Sequence, residues 1–133
     1  MGAAENKQLL QHVYAEISRG NTGPLLDHLA DDVEWTIIGT TALSGSMRGK
    51  EEVIEKLLKP LRARLADGPL VFTPERFIAE GEHVVMQARG QATAKTGKPY
   101  NNVYCIVARI VGGKIKEMTD CIDTELITAA LGA

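Results

Sequence analysis

One acidic residue near the end of the chain stands among residues that suit a ligand pocket. Asp120 alternates with Met118 and Ile122 on a predicted strand, so two apolar side chains share its face. Removal of a carboxyl group from water raises its pKa toward the range useful for proton transfer. Asp120 is therefore our first candidate for general acid or base catalysis. A structural ion pair between Asp120 and Arg89, which would favour the ionised carboxylate, is the alternative.

Polar and aromatic side chains on the neighbouring predicted strands could complete such a site. Tyr104 could donate its hydroxyl group to a substrate oxygen, or it could be a core tyrosine with a satisfied hydroxyl. We predict Asp120, Tyr104 and Arg89 as the catalytic residues. We predict a ligand-binding set on the same sheet that comprises Gln87, Gln91, Asn102, Met118 and Ile122. Within it, Asn102 and Gln91 could orient a carbonyl group or bond to each other.

The sequence contains no motif for a metal, a nucleotide or a nucleophilic triad. The patterns GxSxG, HExxH, the P-loop and the dinucleotide fingerprint do not occur. His12, His28 and His83 fall in three different predicted elements, so they do not form a metal site. Neither cysteine has an identifiable base beside it. We therefore expect no cofactor and no metal.

Length, composition and charge favour one small globular domain. The chain has 133 residues, of which 44% are hydrophobic and 24% charged, and we expect a single domain over residues 1–133. The net charge is -2, so the chain does not have the excess of basic residues with which proteins bind nucleic acids or anionic membranes. The densest basic segment, residues 56–64, is typical of a solvated helix face. Without a signal peptide, an apolar span or a CxxC motif, we expect a soluble cytoplasmic protein.

The order of the predicted elements indicates how a site would be assembled. Helices are expected near residues 5–19, after Pro24, at 50–66 with a kink at Pro60, and at 125–131. Strands are expected at residues 33–38, 70–80, 83–95, 98–111 and 114–123. Helices followed by consecutive hairpins favour an α+β fold, with a mostly antiparallel sheet packed on helices.

The hairpin turns determine which side chains share a face of the sheet. A two-residue turn at Thr96-Gly97 would put Arg89 opposite Tyr104. At the next hairpin, a turn of two residues would put Asp120 beside Cys105, whereas a turn of three would put it beside Tyr104. The residue pattern leaves both registers open.

In the three-residue case the sheet has one mixed face and one apolar face. The mixed face, which suits a ligand pocket, carries Gln87, Arg89, Gln91, Asn102, Tyr104, Met118, Asp120 and Ile122. The apolar face carries Val84, Met86, Ala88, Val103, Cys105, Val107, Thr119 and Cys121. Since the helices would cover the pocket, we predict a homodimer through the apolar face. In the alternative arrangement, the apolar face packs on the helices and the mixed face points to water. The residue pattern alone favours this alternative.

Two stretches of the chain resemble a known superfamily. They are residues 29–35 continuing through 45–51, and residues 97–102 followed by 113–115 and 120–123. Both resemble the nuclear transport factor 2-like (NTF2-like) superfamily, in particular its SnoaL-like (polyketide cyclase-like), limonene epoxide hydrolase-like and ketosteroid isomerase-like branches. The resemblance implies a curved sheet wrapped around helices as a cone with a deep pocket. It also implies that Asp120 lies in that pocket, which favours the three-residue turn. The same resemblance places Trp35 of the first strand in the pocket, as a further member of the predicted ligand-binding set.

The resemblance to the catalytic branches is incomplete. Where epoxide hydrolases carry an Arg-x-Asp pattern, this chain reads Gln87-Ala88-Arg89, so the second acid is missing. The position of the ketosteroid isomerase base falls near Ile37. SnoaL-like cyclases use one pocket aspartate as acid and base, a role that Asp120 would fill. We expect cofactor-free cyclisation, isomerisation or hydration of a small, mostly apolar organic substrate; the alternative is a non-catalytic binding protein for a small hydrophobic molecule.

Overall fold

Helices at the start of the chain pack on a sheet formed mainly by its second half in the computed structural model, which describes residues 2–133. The helices are α1 (Ala3–Ser18), α2 (Gly23–His28), α3 (Lys50–Val53), α4 (Lys59–Arg64) and α5 (Thr124–Leu131). A π-helical turn, Ile54–Leu58, joins α3 to α4. The strands are β1 (Leu29–Ile37), β2 (Gly45–Arg48), β3 (Val71–Glu80), β4 (His83–Gln91), β5 (Val103–Val111) and β6 (Lys114–Ile122). No helix in residues 2–133 is long and apolar enough to cross a membrane.

The six strands form one curved, open sheet in the order β2-β1-β6-β5-β4-β3. Neighbouring strands run antiparallel except β1 and β6, which are parallel. The parallel pair places Trp35 beside Met118 and Ile37 beside Asp120, so the first strand meets the last one at the candidate site. The predicted α+β fold with a mostly antiparallel sheet on helices is confirmed.

Helix α1 lies along the inner face of the sheet because its apolar stripe can be buried only there. Leu10, Val13 and Tyr14 occur at helical spacing and are all buried. The Tyr14 ring packs edge-on against Phe72 of β3, with 4.8 Å between the ring centroids. The helix therefore brings one aromatic side chain with a polar tip into the interior.

The predicted irregularity at Pro60 takes the form of the π-helical turn that precedes it. Proline has no N–H group to donate, and its ring displaces the carbonyl group that a regular helix would place behind it. A π-helical turn inserts one extra residue into the helical path and so absorbs this disturbance. The resulting segment is only partly embedded: Leu57 is buried, whereas α4 has no buried residue.

The hairpin between β4 and β5 has one more residue in its turn than predicted. Ala94 lies opposite Lys98, with the Ala94 amide donating to the Lys98 carbonyl group at 2.8 Å. Residues 95–97 form the loop, and Gly97 adopts a φ of +89°, the left-handed conformation that three-residue loops require at this point. The extra residue moves the register of the whole hairpin by one position.

This shift turns three predicted site residues to the outer face of the sheet. Arg89 pairs with Val103 instead of Tyr104. Since a shift of one residue exchanges the two faces of a strand, Gln87, Arg89 and Gln91 point away from the helices. Their predicted place in a pocket is wrong.

The hairpin between β5 and β6 combines a two-residue turn with a bulge further along the strands. The register starts as a two-residue turn at Gly112-Gly113 requires and then shifts by one residue. Asp120 consequently pairs with Ile106, and neither Cys105 nor Tyr104 lies directly opposite it. Ile106 and Tyr104 are two residues apart, so Asp120 still shares its face with Tyr104, as the three-residue alternative implied.

The predicted apolar face is divided between the two sides of the sheet. The residues from β4, namely Val84, Met86 and Ala88, are buried on the inner face under the helices. Those from β5 and β6 lie on the outer face, as predicted: Val103, Cys105, Val107, Thr119 and Cys121. The division follows directly from the register shift in the β4–β5 hairpin.

Candidate functional site

A cavity of about 430 Å³ lies between the inner face of the sheet and the helices. Side chains from α1, α2, the π-helical turn and α4 form one wall, and β1, β3, β5 and β6 form the other. Most of the lining is leucine, isoleucine and aromatic rings. The exposed members of the lining mark its mouth: Gly20, Thr22, Lys59, Arg62 and Pro69. Such a volume and such walls suit a small organic molecule.

Asp120 lies at the inner end of this cavity and is only 7% exposed. Its Oδ1 atom accepts a hydrogen bond from Nε1 of Trp35 at 3.1 Å. No lysine, arginine or histidine nitrogen among residues 2–133 lies within 4.0 Å of the carboxylate. Burial raises the pKa of Asp120 to about 7, and the bond from Trp35 opposes this rise. At neutral pH the carboxyl group is therefore present in both forms and can accept or donate a proton.

The bond from Trp35 leaves half of the carboxyl group free. An indole N–H can only donate, and here it is directed at Oδ1. Trp35 is itself buried, and parallel pairing of β1 with β6 holds its strand beside Asp120. The remaining oxygen, Oδ2, is thus the atom available to a ligand in the cavity.

Three tyrosines surround the same end of the cavity: Tyr14 of α1, Tyr104 of β5 and Tyr100 from the loop before β5. Burial is the main cause of the raised pKa values of all three hydroxyl groups. The negative charge of Asp120 raises these pKa values further. The hydroxyl groups consequently remain protonated at neutral pH. They are hydrogen-bond donors in the part of the cavity that holds the carboxyl group.

Aromatic packing fixes two of these rings. Phe72 lies between Tyr14 and Tyr104, with its centroid 4.8 Å from the first and 4.7 Å from the second. Gly90 on the neighbouring strand makes room for Tyr104, because a Cβ atom at Gly90 would lie 2.6 Å from Tyr104 Cε1. The Tyr104 ring therefore rests directly on the backbone of β4.

Asn102 supports Tyr100 and does not contact the cavity. Its Nδ2 atom donates to the Tyr100 hydroxyl oxygen at 3.1 Å and to the Asp123 carbonyl group at 3.1 Å. Its Oδ1 atom accepts from the amides of Val103 at 2.8 Å and Asp123 at 3.1 Å. Since all polar atoms of this buried side chain have protein partners, its predicted role as a ligand contact is wrong, and it positions Tyr100 instead.

The structure brings some of the predicted site residues together and separates others. Asp120, Tyr104, Trp35 and Ile122 line the cavity. Met118, the neighbour of Trp35 in the sheet, is fully buried and does not line the cavity, so its predicted ligand contact is wrong. The cavity lining therefore contains the predicted carboxyl group of Asp120 and the two predicted aromatic side chains, Trp35 and Tyr104.

The alternative interpretation of Asp120, an ion pair with Arg89, is excluded by the register of the sheet. On the outer face Arg89 Nε lies 3.6 Å from Glu75 Oε2. Gln87 accepts a hydrogen bond from Arg76 on the same face, and Gln91 is exposed. These side chains form part of the outer surface of the sheet.

Several residues that line the cavity are not among the predicted site residues. Tyr14 falls on the apolar stripe of α1, where a tyrosine looks like any other core residue. Tyr100 stands in the stretch 97–102 that carries the family resemblance, and that stretch was its only signal. Lys59 and Arg62 belong to the basic segment that we expected to be a solvated helix face, yet both lie at the mouth of the cavity.

A family model confirms the resemblance. Residues 10–118 match the SnoaL-like domain. The chain belongs to the SnoaL-like domain family. An uncharacterised protein of Mycobacterium tuberculosis is 27% identical to this SnoaL-like domain over 112 residues, which are 84% of each chain.

Solved structures share the fold over nearly the whole length. An NTF2-like protein of unknown function from Burkholderia pseudomallei superposes with a TM-score of 0.84 at 26% identity, covering 96% of this chain and 98% of that one. A protein with a ketosteroid isomerase-like fold from Catenulispora acidiphila, in complex with trimethylamine, has a TM-score of 0.75 at 18% identity, covering 94% and 92%. The second likeness shows the fold alone.

Proposed function

We propose that this SnoaL-like domain is a cofactor-free enzyme that catalyses cyclisation, isomerisation or hydration of a small, mostly apolar organic substrate. The observation that carries the proposal is the Asp120 carboxyl group, buried at the end of an apolar cavity with Trp35 as its hydrogen-bond partner. A carboxyl group with a pKa of about 7 can take a proton from a substrate and return it at physiological pH.

The proposed chemistry is proton abstraction beside a carbonyl group. In its ionised form, Oδ2 of Asp120 accepts a proton from the carbon next to the substrate carbonyl. The electron pair of the broken C–H bond forms the C=C bond of an enolate, and the π pair of the carbonyl group moves onto its oxygen. The protonated hydroxyl groups of Tyr14 and Tyr104 stabilise the resulting enolate oxygen. Asp120 then returns the proton to a different carbon atom, which isomerises the substrate. In cyclisation the enolate carbon instead attacks a second carbonyl carbon, and Asp120 gives its proton to the alkoxide oxygen that forms as the ring closes.

The alternative function is binding without catalysis. Asp120 is the one acidic side chain among the cavity-lining part of residues 2–133, so acid and base cannot be two separate carboxyl groups there. A carrier or sensor of a small hydrophobic molecule would need only the apolar walls. Ligand binding without any effect of Asp120 on proton exchange would favour this alternative.

Proton exchange tests the proposal without knowledge of the natural substrate. The probe is 2-tetralone, an apolar ketone with acidic protons beside its carbonyl group, dissolved in deuterated buffer and followed by proton NMR. We expect the wild-type protein to accelerate loss of the α-proton signals, and Asp120→Asn to return the rate to that of buffer. Glu117→Gln is the matched control, because Glu117 lies on the same strand but is exposed and paired with Arg109.

We also propose that the domain forms a homodimer through the outer face of its sheet. Three large apolar side chains with substantial exposure support this: Ile38 at 39%, Val103 at 48% and Ile78 at 55%. Apolar surface of this kind commonly marks a protein interface. Light scattering coupled to gel filtration should give twice the 14.4 kDa chain mass, and Val103→Arg should give the monomer mass. A wild-type monomer would refute the dimer and leave the cavity chemistry untouched.

A further inference from the structure

The charged side chains of the cavity lining are separated by depth. Among residues 2–133, those charged residues are Asp120, Lys59 and Arg62. Asp120 is buried at the inner end, whereas Lys59 and Arg62 are exposed at the mouth. The two cations are three residues apart on α4, so they project from the same side of the helix. The cavity is therefore acidic at its inner end and basic at its mouth.

Arg62 is fixed at the mouth by hydrogen bonds that leave its charge without a counter-ion. Its Nη1 atom donates to the Gly68 carbonyl group at 2.7 Å, and its Nη2 atom donates to the Ala66 carbonyl group. No carboxylate oxygen in residues 2–133 lies within 4.0 Å of the guanidinium group. Backbone carbonyl groups orient a guanidinium without neutralising it, so Arg62 remains able to attract an anion.

Lys59 is available to bind an anion beside Arg62, because giving up its present ion pair costs little free energy. Its Nζ atom lies 2.6 Å from Oε1 of Glu55, but both side chains are more than half exposed. Exposed ion pairs of this spacing on a helix contribute little stability, because water competes for both charges. An anionic ligand group at the mouth could therefore replace Glu55 as the partner of Lys59.

The walls between the two ends constrain how a ligand can lie. They consist of apolar side chains such as Leu57, Leu61, Leu65 and Phe72. An anionic group pushed past them would lose its hydration and would meet the Asp120 carboxylate, and both effects are unfavourable. An anion is stable only at the mouth, while an apolar body can fill the interior.

We propose that the substrate is an amphiphilic organic anion, in which a carboxylate or similar group is joined to an apolar ring system. It binds with its charge beside Arg62 and Lys59 and its apolar end toward Asp120. This inference rests on the proposed function for the chemistry at Asp120 and adds the substrate class and its orientation.

Two fluorescent probes with the same ring skeleton test this inference. They are 8-anilinonaphthalene-1-sulfonate, an anion, and N-phenyl-1-naphthylamine, which lacks the sulfonate. We expect Arg62→Gln to weaken binding of the anion about fivefold, as loss of one charge contact near 4 Å in water implies. Binding of the neutral probe should change less than twofold. Arg64→Gln, in the same helix but outside the cavity lining, should change neither affinity.

A charge-conserving variant separates charge recognition from local structure. Arg62→Lys keeps the positive charge but cannot bond both carbonyl groups at once, so it should retain most of the preference for the anionic probe. Added salt should weaken binding of the anionic probe and leave binding of the neutral probe unchanged. Equal losses for both probes, or no loss for the anion in Arg62→Gln and Lys59→Gln, would overturn the inference. The exchange assay compares the wild type with Asp120→Asn on the neutral ketone 2-tetralone, whereas the probe assay measures charge recognition at the mouth, so each proposal can fail in its own assay without the other.

Discussion

The indole nitrogen of Trp35 donates to Oδ1 of Asp120 at 3.1 Å, and this bond joins the first strand of the sheet to the last. The two residues are 85 positions apart in the chain. Their contact depends on the parallel pairing of β1 with β6, the one parallel pair among the described strands. The bond stabilises the ionised carboxylate against the effect of burial, so Trp35 adjusts the proton affinity of Asp120.

Replacement of Trp35 should therefore raise the pKa of Asp120 further. In Trp35→Phe the aromatic ring remains and the N–H donor is lost, which removes the one contact that lowers this pKa. We expect the midpoint of the Asp120 titration, followed by carbon-13 NMR of the labelled carboxyl group, to rise above that of the wild type. An unchanged or lower midpoint would mean that the indole bond does not stabilise the carboxylate.

The raised pKa of Asp120 also makes the stability of the fold depend on pH. The folded protein holds this proton more tightly than the unfolded chain, since burial raises the pKa from 3.8 to about 7. The stabilisation is present below about pH 4 and is lost as the pH rises through about 7. Asp120→Asn cannot ionise, so above pH 7 it should be more stable than the wild type, on the order of 1 kcal/mol or more.

Thermal melts of both proteins between pH 4 and pH 9 would check this prediction. The difference in melting temperature should grow in favour of Asp120→Asn from about pH 4 to about pH 7 and then level off. Glu117→Gln should follow the wild type, because its carboxyl group is exposed. Parallel curves for Asp120→Asn and the wild type would contradict the burial of a titrating group at position 120.

The tyrosine hydroxyl groups should affect the rate more than the binding of a ketone. Tyr14→Phe and Tyr104→Phe each remove one donor and keep the packing against Phe72. Loss of a donor to a developing enolate costs about a hundredfold in rate in related chemistry. We expect a loss of that order for at least one of the two variants in the 2-tetralone exchange assay, with a dissociation constant within about threefold of the wild type. Wild-type rates for both variants would remove the tyrosines from the proposed mechanism.

Gly90 is the residue whose substitution should displace Tyr104. A methyl group at Gly90 would come within 2.6 Å of the Tyr104 ring. Gly90→Ala should lower the free energy of unfolding by roughly 1–3 kcal/mol, the usual result of overpacking. In a Tyr104→Ala background the same substitution should cost much less, since the clashing ring is gone. Additive losses in this double-mutant cycle, measured by urea unfolding, would show that Gly90 does not act through Tyr104.

The fold and the acidic residue were predictable because their signals are local. Helical stripes, strand alternation and turn residues give the order of the elements, and the apolar residues two positions either side of Asp120 mark it as a buried carboxyl group. The register of the two hairpins was harder to predict from the sequence. Gly97 suits the last position of a two-residue or a three-residue loop, so its presence does not determine the loop length. The bulge between β5 and β6 contains no glycine or proline from which it could have been predicted.

The rest of the site could not be predicted because its signals resemble those of ordinary structure. Tyr14 follows the same spacing as the leucines and valines of α1, and the sequence does not reveal where its hydroxyl group points. Lys59 and Arg62 look like part of a solvated helix face, since nothing in the sequence indicates that α4 borders a cavity. Gln87, Arg89 and Gln91 were assigned to the pocket through a register that differs by one residue from the observed one.

The most direct test of the central claim is the pH dependence of 2-tetralone exchange by the wild-type protein, after subtraction of the rate with Asp120→Asn. If Asp120 is the base, the difference should rise with pH and level off above about 7, in step with the titration of its carboxyl group. A rate difference with a midpoint near 4, or no difference at any pH, would contradict the proposal that Asp120 transfers the proton.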